Sequence, residues 1–126
     1  DYEENLKTFH AYLNIEKKNW SMINRRLASR IQKGDEGYIF GAGAHTSQLL
    51  AFTELKDHFS IKGILDNSPT KWGKKIGRYS CFDLEKINLE RNDKIVISSY
   101  ASESEIYKNL SKKLKNEIVC LYMNER

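Results

Sequence analysis

Apolar residues in the first part of the chain recur at helical spacing. They share one helical face and are Leu6, Phe9, Leu13, Trp20, Ile23, Leu27 and Ile31. This pattern predicts an amphipathic helix across residues 1–33, either as one long helix or as two with a break near Asn14. Such an apolar stripe can pack on its own domain or form a seam with a partner helix, and the pattern favours the first.

Beyond Gly34, short apolar runs alternate with helical patterns. The runs cover residues 38–40, 61–65, 94–98 and 117–122, and each ends near polar or turn-forming residues. Strands that alternate with helices of crossover length are typical of a parallel sheet covered on both faces. We therefore predict that residues 34–126 form an α/β, Rossmann-like half with about four parallel strands, with room for a short extra strand at residues 79–82.

Polar residues mark the expected helix boundaries. Thr46 or Ser47 is the expected cap of the first helix after Gly34, and Asp83 that of a short helix reaching residue 87. Ser102 and Glu105 have the spacing of a capping box, in which each side chain bonds a free backbone amide at the helix start. Gly34 is a natural stop for the N-terminal helix.

Composition and length narrow the class of protein. The chain has 126 residues, of which 40% are hydrophobic and 30% charged, as in a globular domain with a real core. No apolar run is long enough for a membrane span, so we expect a cytoplasmic protein. Because the first residue is Asp1 and not Met, we also expect a segment of a longer protein.

The net charge of +4 does not indicate a nucleic-acid partner. The excess is divided between the N-terminal helix and a loop carrying Lys71, Lys74, Lys75 and Arg78, whereas nucleic-acid binders gather basic residues on one face. The two cysteines, 81 and 120, have neither zinc nor redox spacing, and no metal site or catalytic set is predicted.

Candidate chemistry collects where the predicted parallel strands end. In such sheets ligands bind at the carboxyl edge, here at residues 41–46, 66–67 and 98–102. The sequence Gly-Ala-Gly-Ala-His-Thr after the first strand offers a helix start to a diphosphate, although Thr46 stands where the dinucleotide fingerprint has its third glycine. Asp66 is placed to bind a ribose or to cap the following turn. A phosphate site and a purely structural glycine turn both remain open.

Side chains at the same edge have two interpretations each. His45 could contact a ligand or only cap its helix, and the hydroxyls of Ser99 and Tyr100 could contact substrate or only form a turn. Lys71 is either a phosphate contact or one charge of a solvated loop.

Three motifs resemble one recurring layout. They are Tyr-Ile-Phe-Gly-Ala-Gly-Ala-His at residues 38–45, Gly-Ile-Leu-Asp-Asn-Ser-Pro-Thr-Lys-Trp-Gly at residues 63–73, and Lys-Ile-Val-Ile-Ser-Ser-Tyr at residues 94–100. The layout is similar to the Rossmann-like C-terminal domain of bacterial nucleotide-sugar C-methyltransferases and related polysaccharide-biosynthesis proteins. Here His45 replaces the usual Lys of that layout and Thr46 the usual Gly.

The resemblance implies a nucleotide-sugar-binding or substrate-positioning domain of a larger sugar-modifying enzyme, with no cofactor of its own and S-adenosylmethionine held by another domain. The expected ligand-binding residues are Gly41, Ala42, Gly43, Ala44, His45, Thr46, Asp66, Asn67, Ser99 and Tyr100, with Lys71 as a further phosphate contact. Two alternatives are a structural or dimerisation module, in which the helix through Trp20 and Leu27 docks a partner, and an NAD-type dinucleotide domain. Expected partners are a nucleotide-linked sugar, the other domains of the parent protein and a second copy of the chain.

Overall fold

The computed structural model describes residues 1–123, and within that range the side chains other than those of residues 8–18. The chain begins with a long helix and then alternates strands and helices. In order, the elements are α1 (Tyr2–Arg30), β1 (Asp35–Phe40), α2 (Ala44–Phe52), α3 (Leu55–His58), β2 (Phe59–Leu65), β3 (Lys75–Ile76), β4 (Tyr79–Phe82), β5 (Lys94–Ile97), α4 (Glu103–Lys113) and β6 (Ile118–Val119). Short 3-10 turns cover Pro69–Lys71 and Leu84–Lys86.

The strands form one sheet in the order β3-β4-β2-β1-β5-β6. All neighbouring strands are parallel except β3 and β4, which form an antiparallel hairpin at one edge. After β1 the chain builds the sheet outward in one direction through β2 and β4, and then crosses back to place β5 on the other side of β1. This reversal of direction beside β1 is the switch point at which Rossmann-like sheets bind ligands.

Two apolar cores lie on the two faces of the sheet. One face is covered by α1, α2 and α3 around Ile39, Ile64 and Val96, and the other by α4 around Ile95 and Ile97. Consecutive residues of β5 therefore point into different cores, which explains why its sequence is continuously apolar. The prediction of an α/β sheet with helices on both faces is confirmed.

Helix α1 packs on its own domain through its second half. Trp20, Ile23, Leu27 and Ile31 are buried in the core that also contains Leu49 of α2. The helix runs unbroken from Tyr2 to Arg30, so of the two predicted forms the single helix is observed. Of the two predicted roles of the apolar stripe, packing on its own domain is the one observed for residues 20–31.

The predicted number of strands was too low. The sheet has six strands instead of about four, because Tyr79–Phe82 does form a strand and Lys75–Ile76 pairs with it. The two-residue strand β3 has too short a pattern to be recognised in sequence. Strand β6 is also shorter than predicted and covers only Ile118–Val119.

The predicted cap of α2 was wrong, and that of α4 is confirmed in position but not in its bond. Helix α2 begins earlier than expected, at Ala44, and its cap residue Gly43 supplies no side chain. Ser102 does occupy the cap position of α4, but its hydroxyl makes no capping bond and Glu105 is exposed. By contrast, the Asp83 carboxylate accepts the Glu85 N–H as predicted, although the short helix is a 3-10 turn.

The helices of residues 1–123 include none with both the length and the apolar composition that crossing a bilayer requires.

Candidate functional site

The carboxyl ends of the central strands meet at one edge of the sheet. Phe40, the last residue of β1, pairs with Leu65 of β2 on one side and with Ile97 of β5 on the other. The ladder continues one residue further, since the Gly41 N–H donates to Leu65 O at 2.7 Å and the Ser98 N–H to Phe40 O at 2.9 Å. This register brings the three predicted site segments together at the switch point.

The glycine loop, residues 41–43, joins β1 to α2. Gly41 has φ +126°, and a Cβ built there would lie 2.6 Å from the Ser98 carbonyl oxygen, so only glycine fits. Gly43 differs, because a Cβ on it would meet no atom within 4 Å. Gly41 is therefore required by the fold, whereas Gly43 leaves open space above the backbone at the helix start.

The start of α2 presents unpaired backbone donors. Among the described residues, the N–H groups of Gly43, Ala44 and His45 have no hydrogen-bond acceptor, as expected of a first helical turn without a side-chain cap. The Thr46 N–H is not free, since it donates to Gly43 O at 3.1 Å. Three donors at the positive end of a nine-residue helix can accommodate an anion.

Asp66 ties the glycine loop to the turn after β2. Its Oδ2 accepts the Ala42 N–H at 2.8 Å and its Oδ1 accepts the Ser68 N–H at 2.8 Å. The capping role considered for Asp66 is thus present, together with an unanticipated bond to the glycine loop. Each carboxylate oxygen keeps a further lone pair, and the side chain remains half-buried at the edge. Asn67, the next residue, is exposed.

A chain of hydrogen bonds, here called the His45 relay, runs from the glycine loop to the segment that follows β6. It links the Gly41 carbonyl, the Thr46 hydroxyl, the Ser98 hydroxyl, the His45 imidazole and the Tyr122 hydroxyl. The Thr46–Ser98 oxygens are 2.8 Å apart, His45 Nδ1 is 2.7 Å from Ser98 Oγ, and His45 Nε2 is 2.5 Å from the Tyr122 oxygen. The Thr46 side chain is fully buried, so its hydroxyl contacts the glycine loop from the interior of the domain.

The hydrogen bonds are compatible with two proton orders. The Thr46 hydroxyl is the donor toward both the Gly41 carbonyl and the Ser98 hydroxyl, so Ser98 keeps its own hydrogen. With the His45 proton on Nε2, Ser98 donates to Nδ1 and Nε2 donates to the Tyr122 oxygen; with the proton on Nδ1, both directions reverse. In either order the Tyr122 oxygen keeps a free lone pair.

Burial sets the charge state of the relay. Desolvation lowers the pKa of His45 below its ordinary value, which keeps the imidazole neutral near pH 7. Desolvation also raises the pKa of Tyr122, with Glu103 and Tyr100 contributing, so its hydroxyl stays protonated. A neutral imidazole has one donor and one acceptor nitrogen, as its two contacts in the His45 relay require.

The remaining predicted residues lie around the same edge. Ser99 is half-buried, and its hydroxyl accepts the Ser102 N–H at 3.1 Å, which matches the turn role considered for it. Tyr100 is 75% exposed, and its ring meets that of Tyr122 edge-on at 4.9 Å between centroids. Lys71 is exposed on the 3-10 turn after β2.

Two cavities lie on the two faces of the sheet. The α1 cavity, about 420 Å³, is lined by Asn19, Trp20, Met22, Ile23, Arg26, His45, Gln48, Tyr100, Leu121 and Tyr122. The α4 cavity, about 410 Å³, is lined by Phe40, Asn67, Trp72, Asp83, Leu84, Glu85, Ile106, Asn109, Leu110 and Lys113. Each cavity thus includes a residue next to the glycine loop in sequence, Phe40 before it or His45 shortly after it.

Sequence reasoning missed Tyr122 and Glu103. Glu103 is 1% exposed, and its carboxylate accepts the N–H groups of Leu121, Tyr122 and Met123 at 2.6, 3.0 and 2.9 Å. This contact holds Tyr122 against His45. The signal for Tyr122 was its position at the end of the predicted last strand, residues 117–122, at the ligand edge. Nothing in the sequence marks Glu103 as a long-range partner.

At the opposite edge of the sheet, the carboxylates of Glu36, Glu90 and Asp93 form ion pairs with Lys62. Lys62 Nζ lies 2.7 Å from Asp93, 3.2 Å from Glu90 and 3.6 Å from Glu36, and the hydrogen bond to Asp93 raises the pKa of Lys62. These three acids are the group within residues 1–123 whose spacing could suit a metal ion. The Lys62 ammonium supplies the positive charge that a metal ion would otherwise bring to these acids.

Both cysteines are buried and neither forms a disulfide, and the burial of Cys120 agrees with the apolar run that contains it. Burial, with a smaller contribution from Glu103, raises the pKa of Cys120 to about 11, so it remains a thiol at neutral pH. Burial also raises the pKa of Cys81.

Comparison with known proteins gives one family and one fold. The family model described as C2185-like, N-terminal, matches residues 37–119. The crystal structure of RSP, a Rex-family repressor, is similar with a TM-score of 0.52 and 21% sequence identity. The match covers 75% of this chain and 48% of that chain, so this chain corresponds to about half of the repressor. No curated protein matches the sequence. At this identity the likeness concerns the Rossmann-like fold alone.

Proposed function

The chain belongs to the family of C2185-like N-terminal domains, and from this premise we propose that it binds a nucleotide-linked sugar and positions it for a larger bacterial sugar-modifying enzyme of surface polysaccharide biosynthesis. The observation that carries the proposal is the set of three amides at residues 43–45 without an acceptor among the described residues, at the switch point of the sheet and beside the open space at Gly43. A diphosphate is the part of such a ligand that these donors fit.

The glycine loop is well held for this task. The Asp66 carboxylate bonds the Ala42 N–H, and the Thr46 hydroxyl bonds the Gly41 carbonyl. These contacts fix the loop before any ligand arrives, which reduces the entropy lost on binding. The open space at Gly43 lets phosphate oxygens reach the backbone donors.

The two cavities give room for the two ends of the ligand. Each has the size of a small-molecule pocket, and Phe40 and His45, on either side of the glycine loop in sequence, belong to their linings. We assign the base to the α4 cavity, where Asn67, Asp83 and Asn109 offer polar groups to its edge. The glycosyl group then lies on the side of α1.

The resemblance to nucleotide-sugar enzymes supports the sugar, and the two departures from that layout have local explanations. Thr46 replaces glycine and uses its hydroxyl to hold Gly41 and Ser98. His45 replaces lysine and belongs to the relay, so it contributes no charge to the phosphate. Methyl transfer would belong to another domain with its own S-adenosylmethionine.

Substitution of Gly43 tests the diphosphate site. Titration calorimetry with UDP-glucose and the corresponding dTDP-sugar should show binding at up to millimolar ligand, with Gly43→Asp weaker by at least about tenfold through charge repulsion. Gly43→Asn is the matched control, because it adds the same volume without the charge. The absence of wild-type binding, or equal binding by the two folded variants, would refute the proposal.

A dinucleotide is the second candidate, and the position of Asp66 at the end of β2 favours it. In dinucleotide-binding domains an acid near this position bonds the ribose. NADH belongs in the same titration series. Tighter binding of NADH than of any nucleotide sugar would select this candidate. Dimerisation remains a separate prediction, which sedimentation over a range of concentrations decides.

A further inference from the structure

The α1 cavity has an aromatic wall. The rings of Trp20 and His45 are 5.2 Å apart between centroids, those of His45 and Tyr122 5.5 Å, and those of Tyr122 and Tyr100 4.9 Å. Trp20 is buried to 9% exposure and Tyr122 is held by Glu103, so the wall is rigid except at the exposed ring of Tyr100. Aromatic faces of this kind suit an apolar ring face of a ligand.

The charge on the lining of the α1 cavity is positive. Arg26 is the only charged side chain among the described residues that line it, since His45 is neutral and the other polar groups are the amides of Asn19 and Gln48 and two phenols. One guanidinium nitrogen of Arg26 donates to Met123 O at 2.9 Å, which orients the side chain. A guanidinium carries five N–H donors, so several remain for a ligand.

The Tyr122 hydroxyl adds directionality. In either tautomer of His45 its oxygen keeps a free lone pair. A ligand hydroxyl would therefore donate to it. The cavity thus combines a ring-binding wall, an oriented cation and an acceptor for a hydroxyl group.

We propose that the α1 cavity binds a sugar ring carrying an anionic substituent, with Arg26 pairing the anion, Tyr122 accepting a ring hydroxyl and the wall from Trp20 to Tyr100 covering one face of the ring. This inference rests on the proposed function and adds the class of sugar. We expect a sugar with a carboxylate to bind more tightly than its neutral counterpart. The reason is that a guanidinium–carboxylate pair is a stronger interaction than the hydrogen bonds of the same guanidinium to water.

The test compares UDP-glucuronate with UDP-glucose, which differ in one carboxylate. The wild-type chain should bind UDP-glucuronate at least about tenfold more tightly, and Arg26→Gln should reduce the ratio to near one. Arg25→Gln is the matched control, because it removes the same charge from an exposed position outside the cavity. Circular dichroism establishes that the variants are folded, and Arg26→Lys, which keeps the charge, should retain part of the preference.

The outcomes separate the two proposals. Equal affinity of the wild type for both ligands, or equal effects of the Arg25 and Arg26 variants, overturns the anionic-sugar site and leaves nucleotide-sugar binding standing. Failure of both ligands to bind overturns both. In NMR spectra the Trp20 indole resonance should shift with UDP-glucuronate and not with UDP alone, and a shift confined to residues of the α4 cavity counts against the assignment.

Discussion

At the scale of single residues, the two glycines of the loop have different physical roles. Gly41 is required because of its positive φ and its approach to Ser98, whereas Gly43 has φ −108° and an unobstructed position. Sequence alone treats the two as equivalent members of one motif. Their difference depends on how β1 and β5 pack side by side.

Alanine substitutions should separate these roles. Gly41→Ala should lower the free energy of unfolding by about 2–4 kcal/mol, because a Cβ there meets the Ser98 carbonyl in a strained backbone conformation. Gly43→Ala should change it by less than about 1 kcal/mol. Urea denaturation of both variants measures the difference. Equal stability of the two would contradict the geometry of the loop.

The imidazole of His45 should be neutral near pH 7. Nitrogen-15 NMR of the ring should show one protonated and one unprotonated nitrogen and a pKa below the ordinary value, because burial disfavours the charge. As pH falls below about 6.5 this residue is protonated in the unfolded chain before it is protonated in the folded chain, so the free energy of unfolding decreases with falling pH. A His45 pKa at or above the ordinary value would contradict its burial in the relay.

At the scale of elements, the segment after β6 depends on α4. Strand β6 has only two residues, and the chain beyond it is fixed by three N–H bonds to the buried Glu103 carboxylate at the start of α4. The negative charge also lies favourably at a helix N-terminus. One side chain therefore stabilises a helix and positions a wall of the α1 cavity.

Replacement of Glu103 by glutamine should weaken both the start of α4 and the attachment of residues 121–123. Glu103→Gln places an amide donor against backbone donors, and we expect a loss of about 2–3 kcal/mol of stability. Hydrogen exchange should become faster at residues 121–123. Glu105→Gln, at an exposed position of the same helix, should change stability by less than about 0.5 kcal/mol. Similar losses in the two variants would contradict the bridging role.

At the scale of the whole molecule, local patterns predicted the α/β class, the glycine loop and the segments that meet at the ligand edge. Strong periodicity and turn residues carry that information, since they act within a few neighbouring positions. Three features were not predictable for different reasons. The strand β3 is too short to leave a pattern, and the start of α2 has no side-chain cap that marks it. The bonding of Glu103 depends on residues 18 to 20 positions further along the chain.

The sequence by itself therefore determined which elements form and which edge of the sheet collects polar groups, because hydrophobic spacing and glycine placement are local properties. Only the tertiary structure decided that α1 covers its own domain, that a cavity forms on each face of the sheet, and that His45 bonds Ser98 and Tyr122. The His45 contacts, for example, join side chains 53 and 77 residues apart across the ends of parallel strands. Such meetings are set by strand order and register, which no local pattern contains.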